Sequence, residues 1–209
     1  MDSQHYFSAA PSGPDKRRPL RVPIAGQERD LVTSGGIFSP DGIDKGTAIL
    51  LSEVPPVTGS TLLDIGSGWG PLALTMAVQA PHARVIAIDV NERSLELTRE
   101  NARRLELGNV AAMLPDDVNP DIAFDTIWSN PPIRIGKEAL HELLLRWLPR
   151  LAPGGSAWLV VQKNLGADSL QRWLAAQLPP DYEVDRPTTS KSFRILRVER
   201  TAPENARKA

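Results

Sequence analysis

Apolar positions along this chain follow two periods in alternation. Short, predominantly apolar runs suit strands buried on both faces. They occur at Leu62 to Ile65, Val85 to Val90, Val110 to Leu114, Phe124 to Trp128 and Ala157 to Val161. Between them lie segments of helical spacing. Leu72, Leu74, Met76 and Val78 follow the first run, and Leu95, Thr98, Ala102 and Leu105 follow the second. Leu140, Leu143, Leu144, Trp147, Leu148 and Leu151 mark a long amphipathic helix from Lys137 to Ala152. Pro71 suits a first helical position. Asn91 suits the cap of a helix reaching about Leu107, and Gly108-Asn109 its end. Pro153-Gly154-Gly155 reads as the turn into the fifth strand. A further helix near Asp168 to Gln177 and strands near Tyr182 to Asp185 and Phe193 to Glu199 complete the series.

This alternation predicts an α/β fold, a mostly parallel sheet with helices on both faces. Ahead of it, Leu20, Val22 and Ile24 alternate with polar residues. Ala25-Gly26-Gln27 turns, and Arg29 to Thr33 returns, which predicts a β-hairpin at 20–34. A helix from Thr47 to Glu53 follows. Residues 1–19, rich in Ser, Pro and Gly from residue 8, read as a flexible arm. Residues 20–200 read as one domain and 201–209 as a polar tail.

The first central strand runs into Asp64-Ile65-Gly66-Ser67-Gly68-Trp69-Gly70. Glycines there permit a sharp turn and close approach of a ligand to backbone amides. A dinucleotide site wants G-x-G-x-x-G, but Pro71 stands where the third glycine should be. The second strand ends in Asp89, nineteen residues past Gly70. That is close to the separation at which a strand-end acid meets a ribose diol. A carboxylate can accept from both hydroxyls. The fourth strand leads into Asn130-Pro131-Pro132. Two prolines stiffen the backbone and remove two donors. The Asn130 side-chain oxygen and the Pro131 carbonyl remain, and two acceptors on one rigid turn suit an amino or amide NH2. Ligands of such sheets sit at the carboxyl ends of the strands. Gly66 to Gly70, Asp89, Asp116-Asp117 and Asn130 to Pro132 all fall there.

The pattern Asp-x-Gly-x-Gly-x-Gly resembles the first motif of class I S-adenosylmethionine-dependent methyltransferases. Asn-Pro-Pro on the fourth strand marks those that modify exocyclic amino or amide nitrogens. Thr33-x-x-Gly36-x-Phe38-Ser39, Asp44-x-Gly46-Thr47, Val161-x-Lys163-x-Leu165-Gly166-x-Asp168-Ser169-Leu170 and Lys191 to Leu196 complete the series. In this order they resemble the RsmC/RlmG-type rRNA guanine-N2 methyltransferases, the methyltransferase small domain group, from about residue 20 to 200.

The resemblance implies a Rossmann-like, seven-stranded fold and S-adenosyl-L-methionine as cofactor. The implied substrate is a guanine of 16S ribosomal RNA or the small ribosomal subunit. It implies cofactor contacts from Asp64, Gly66, Ser67, Gly68, Gly70, Asp89, Val90 and Asn130, with Asp116 or Asp117 at the adenine. Asn130, Pro131 and Pro132 would be catalytic. Phe38, Ile133, Arg134 and Lys137 would meet the substrate, the last two at phosphates beside a flipped-out base, as would Lys163 and Lys191. Ile133 replaces the aromatic usual after Asn-Pro-Pro, so either Ile133 packs on the base or Phe38 supplies the ring. The best-known relatives carry an additional N-terminal domain, so RNA grip is expected from the surface or from a folded ribonucleoprotein substrate. N6-adenine methylation, glutamine N5 methylation and a non-catalytic S-adenosylmethionine-binding module remain as alternatives.

Composition narrows the remainder. The 209 residues are 41% apolar, ordinary for a globular core. No apolar run approaches the ~18 residues of a membrane span, and Met1 to Ala10 lacks an apolar signal core. A cytoplasmic location is expected. There is no cysteine, hence no thiolate nucleophile. His5, His82 and His141 are scattered, and no metal site is expected. A net charge of −1 lacks the basic excess of a generic nucleic-acid binder. Lys16, Arg17, Arg18, Arg21 and Arg29 form either a local basic patch or a solvated arm. Trp69 reads as packing.

Overall fold

The computed structural model describes residues 14–190 and 192–202. The five apolar runs form β3 (Thr61–Ile65), β4 (Arg84–Ile88), β5 (Val110–Met113), β6 (Phe124–Ser129) and β7 (Leu151–Gln162). With β8 (Tyr182–Ser190) and β9 (Phe193–Arg200) they make one seven-stranded sheet in the order β5-β4-β3-β6-β7-β9-β8. The first five strands pair in parallel, and β9 runs antiparallel to both its neighbours. The hairpin, β1 (Arg18–Ile24) and β2 (Gln27–Thr33), is a separate two-stranded sheet.

Helices cover both faces, as expected. Successive strand residues point to opposite sides, and Leu62 and Leu63 divide accordingly. Leu62, Val85 and Trp128 pack with Leu50 of α1 (Lys45–Glu53), Met76 of α2 (Pro71–Gln79) and Leu95 of α3 (Glu92–Arg104). Leu63, Ile127 and Leu159 pack with Leu144 and Trp147 of α4 (Lys137–Trp147) and Leu174 of α5 (Ala167–Gln177). An isolated hairpin is marginal in water. This one buries Val22, Ile24 and Leu31 against Trp69, Leu74 and Leu97 beside the glycine turn. Asn101 of α3 then ties it down. Its Oδ1 accepts the Val32 N–H at 2.8 Å, and its Nδ2 donates to the carbonyls of Val32 and Trp69 at 3.0 Å each.

Several boundaries differ from the sequence reading: β1 begins at Arg18, inside the expected arm, α1 begins at Lys45 rather than Thr47, and α3 ends at Arg104 rather than near Leu107. The helix expected to reach Ala152 stops at Trp147 and passes through a 3-10 turn, Leu148–Arg150, because Pro149 has no N–H to continue it. The expected turn at Pro153-Gly154-Gly155 lies inside β7, at a register shift against β6. A Cβ on Gly155 would stand 2.8 Å from the Phe124 carbonyl, so glycine lets the strands approach there. β8 continues past Asp185 to Ser190, with Pro187 at a register shift on an edge strand, where its missing donor is tolerated. Of the expected arm and tail, residues 1–13 and 203–209 lie outside the described residues, as does Lys191.

Candidate active site

β3 pairs with β4 on one side and β6 on the other. The chain therefore leaves β3 at a topological switch point, the usual ligand position of such sheets. A cleft of about 690 Å³ opens there, lined by Gly66, Asp89, Val90, Asn130, Pro131 and Pro132 among others. That volume lies within the range of small-molecule sites.

The glycine turn folds across the end of β4. The N–H groups of Gly66 and Ser67 donate to the Ile88 carbonyl at 2.8 and 2.9 Å. Gly66 has φ 77, and a Cβ there would meet nothing within 4 Å, which leaves it facing the cleft. Gly70 serves otherwise. With φ 101, it brings α2 against α3 where a Cβ would lie 3.2 Å from the Thr98 side chain. It does not line the cleft. Ser67 and Gly68 border a smaller recess of about 20 Å³ continuous with Phe38, Asp44 and Asn130. The Ser67 hydroxyl is buried there without a protein partner among the described residues.

Asp64 is wholly buried and works from beneath the turn. Its Oδ2 accepts the Ala73 N–H at 3.0 Å, giving α2 the cap that Gly70 has no side chain to provide. Burial pushes its carboxyl up to about 8; the Ala73 N–H opposes the rise and the Asp89 charge adds to it.

Asp89 lines the cleft from the end of β4. Its Oδ2 accepts from Gly68 N–H and its Oδ1 from Asn91 N–H, both at 2.9 Å. Each oxygen keeps a lone pair for a further donor. Burial raises this carboxyl, against the pull of backbone N–H groups. The helix cap is Asn91, which accepts the Arg93 N–H at 3.0 Å. Next to Asp89, Val90 presents an apolar wall 42% exposed. Beyond it, Pro115 lines the cleft but Asp116 and Asp117 do not. The 3-10 turn Pro115–Asp117 carries both acids into solvent, where Asp116 pairs with Arg146 at 2.8 Å.

At the end of β6 the Ser129 hydroxyl donates to the Ile65 carbonyl at 2.8 Å and pins the two strand ends together. Asn130 follows, half-buried. Its Nδ2 donates to Asp44 Oδ2 at 2.8 Å and to Thr47 Oγ1 at 3.1 Å. With the nitrogen so committed, Oδ1 is the atom left to the cleft that Asn130 lines. The Pro131 carbonyl accepts the Ile133 N–H at 2.8 Å and keeps one lone pair. Ile133 and Arg134 line the cleft; Lys137, exposed at the start of α4, does not.

Several lining residues carried no expected role. Asp44 appeared only within the Asp44-x-Gly46-Thr47 motif, with no role attached, and its partner stands 86 residues away. Leu143, Gln162, Leu165 and Phe193 line the half of the cleft beyond Asn130. Leu165 and Phe193 lie in the late motifs, but nothing in a strand pattern separates a cleft-facing ring from a packing one. Phe38 lines the cleft with its side chain 46% exposed. Three arginines of the N-terminal basic run are paired with acids. Arg17 pairs with Asp15, Glu96 and Glu100, Arg18 with Asp41, and Arg21 with Glu28 and Asp30. No helix among the described residues is long and apolar enough to cross a membrane.

The methyltransferase small domain family model matches residues 28–196. YbxB of Bacillus subtilis is 34% identical over 172 residues, covering 80% of this chain and 85% of that protein. Ribosomal RNA small subunit methyltransferase C of Pseudomonas aeruginosa is 33% identical over 171 residues. The match covers 78% of this chain, which spans 51% of that relative's length. Among solved structures, the Thermus thermophilus 16S rRNA N2 G1207 methyltransferase (RsmC), in complex with AdoMet and guanosine, superposes with a TM-score of 0.75. It is 22% identical, and the match covers 90% of this chain and 51% of that one. The family match spans the glycine turn, the β4 acid and the Asn-Pro-Pro turn that build the cleft, and this chain belongs to the methyltransferase small domain family.

Proposed function

We propose that this protein is an S-adenosylmethionine-dependent methyltransferase acting on the exocyclic N2 of a guanine in 16S ribosomal RNA. The observation that carries the reading is the Asn130 side chain. Its NH2 is held by Asp44 and Thr47, which leaves its oxygen free for the cleft that Asn130 and Pro131 both line.

The residues present fit the cofactor. Gly66 offers backbone without a side chain, Ser67 a buried hydroxyl without a protein partner, Asp89 two lone pairs for a ribose, and Val90 and Pro115 apolar walls for a purine. When bound, S-adenosylmethionine supplies a sulfonium methyl whose C–S bond breaks as the amine lone pair forms the N–C bond, one amine proton then passing to water. Asn130 Oδ1 and the Pro131 carbonyl accept the two amine hydrogens and aim the nitrogen lone pair. Positioning of this kind supplies most of the rate in such a displacement. Asp89 holds the glycine turn and the ribose together.

Ribosomal RNA as substrate is supported by the named function of the Pseudomonas relative and by charge at the cleft mouth. Arg134 lines the cleft, and Lys45, Lys137 and Lys163 stand exposed at the ends of neighbouring elements. These four form no ion pair among the described residues, unlike Arg18 and Arg21 of the hairpin. Unpaired cations beside a base pocket suit phosphates.

The test is methyl transfer from labelled S-adenosylmethionine to unmodified small-subunit particles, large-subunit particles, naked rRNA and tRNA, followed by digestion to nucleosides. N2-methylguanosine from small-subunit RNA is the expected product, abolished by Asn130→Ala with cofactor binding retained. Label in N6-methyladenosine or in protein would overturn the guanine assignment. No label from any substrate, with the cofactor bound, would favour a non-catalytic module.

A further inference from the structure

We propose that Asp44 is the positioning residue of this site, fixing the Asn130 amide so that its oxygen and not its nitrogen meets the substrate. The inference rests on the role given to Asn130 above and extends it to a residue outside the sheet.

A terminal amide has two nearly equal ends and can rotate to present either. At Asn130 the choice is made by chemistry. An ionised carboxylate accepts and cannot donate, so only the NH2 end can lie 2.8 Å from Asp44 Oδ2. Thr47 reinforces this. Its hydroxyl gives its own proton to Asp44 Oδ2 and therefore meets Asn130 Nδ2 as an acceptor, at 3.1 Å. Every donor in the group then leads to Asp44, directly or through the Thr47 hydroxyl. Hydrogen bonds aligned in one direction polarise one another, which draws electron density onto the Asn130 oxygen and strengthens it as an acceptor.

Asp44 is itself held. As the N-cap of α1 it accepts the Gly46 N–H at 2.7 Å and the Thr47 N–H at 3.2 Å. Gly46 makes the approach possible. A Cβ there would lie 3.2 Å from Asp44 Oδ1 and from the Phe193 ring, and 3.4 Å from Asn130 Nδ2. The Asp44-x-Gly46-Thr47 segment thus docks a helix start against the β6 turn and hands its charge to one side chain.

Asp44→Asn separates this role from capping, because asparagine caps a helix as well as aspartate. The new side chain keeps its oxygen for the Gly46 N–H and turns an NH2 toward Asn130, giving up the 3.2 Å bond from the Thr47 N–H. Asn130 must then rotate and offer NH2 to the amine. We expect a thermal midpoint only slightly lowered, an unchanged Kd for S-adenosylmethionine, and a kcat lower by about 10²-fold, the order seen when one oriented catalytic hydrogen bond is lost. In the Asn130→Ala background the same substitution should cost nothing more, since residues acting as a unit are not additive. A readout independent of substrate is the Asn130 side-chain amide signal in a ¹⁵N–¹H spectrum, identified by its absence in Asn130→Ala. One proton shifted downfield by the carboxylate should return to an ordinary position in Asp44→Asn.

A wild-type kcat in Asp44→Asn, multiplicative losses in the double variant, an amide signal indifferent to Asp44, or a parallel loss of cofactor affinity would each overturn the proposal. Failure of the wild-type protein to methylate guanine would instead strike the functional reading, and the amide spectrum would still decide the orientation.

Discussion

Asp89 accepts the backbone N–H of Gly68 at 2.9 Å across the ends of two parallel strands. The acid expected at the ribose is thus also a structural member of the glycine turn. Its other oxygen holds Asn91 N–H at the same distance, so neither oxygen can become an NH2 without facing a donor. Asp89→Asn is expected to weaken S-adenosylmethionine binding about 10- to 100-fold, from the loss of roughly 1.5–3 kcal/mol of hydrogen bonding to a charged group. Calorimetric titration measures it. A Kd within twofold of wild type would remove Asp89 from the cofactor site.

Two glycines of the same turn should respond differently to alanine. Gly70→Ala meets both a positive φ of 101 and the Thr98 side chain at 3.2 Å. Gly68→Ala has φ 56, within the left-handed region, and its nearest neighbour would be the Phe38 carbonyl at 3.9 Å. Urea unfolding should show losses on the order of 1–3 kcal/mol for Gly70→Ala and about 1 kcal/mol for Gly68→Ala. The reverse ranking would contradict the packing described.

The buried Asp64 predicts a pH dependence of stability. Its folded carboxyl titrates near 8 against 3.8 for an ordinary aspartate. Between those values the folded state holds the extra proton, and stability therefore falls as pH rises through the interval and levels off above it. Asp64→Asn removes this contribution and should gain on the wild type between about pH 4 and about pH 8. Asp89, raised also by burial, adds a decline of the same sign that the variant keeps. Unfolding free energies measured across this range would show parallel curves if Asp64 ionised normally.

Asn101→Ala strips three hydrogen bonds from a buried junction between the hairpin, α3 and the glycine turn. Leaving the Val32 N–H and two carbonyls without partners should cost roughly 2–4 kcal/mol. Amide exchange at Val32 should accelerate more than exchange in β3 or β6. Uniform acceleration would mean that the hairpin is not held by this residue.

Ile133 leaves the site without a ring directly after Asn-Pro-Pro, and two phenylalanines line the cleft instead. Phe193 is partly buried against α1, where its ring would lie 3.2 Å from a Cβ on Gly46. Phe38, 46% exposed, is free to stack. Phe38→Leu should raise KM for RNA about 10-fold, from stacking worth roughly 1–3 kcal/mol, and leave cofactor affinity unchanged. An unaltered KM would return the stacking role to Ile133 or Phe193.

The ends of β3, β4 and β6 were legible because their signals are local. A predominantly apolar run, a glycine turn and a following proline each constrain their own few residues. Errors arose where a local rule met a tertiary contact. Pro153-Gly154-Gly155 has turn composition, but pairing with β6 holds it inside a strand. Asp116 and Asp117 fall at a strand end, yet the 3-10 turn there leaves both exposed and Asp116 paired with Arg146.

By itself the sequence determined the alternating fold, the end of the sheet where the cleft opens, and Asp89 and Asn130 as polar residues that line it. Periodicity and backbone chemistry act over a few residues and survive without the rest of the chain. Only the tertiary structure decided which end of the Asn130 amide faces the cleft, that Asp44 and Thr47 set it, and that Arg17 and Arg18 of the basic run are spent on ion pairs. Each of these depends on a partner brought within about 3 Å by folding from a distant segment, and hydrogen bonds and ion pairs at such range leave no period in a sequence.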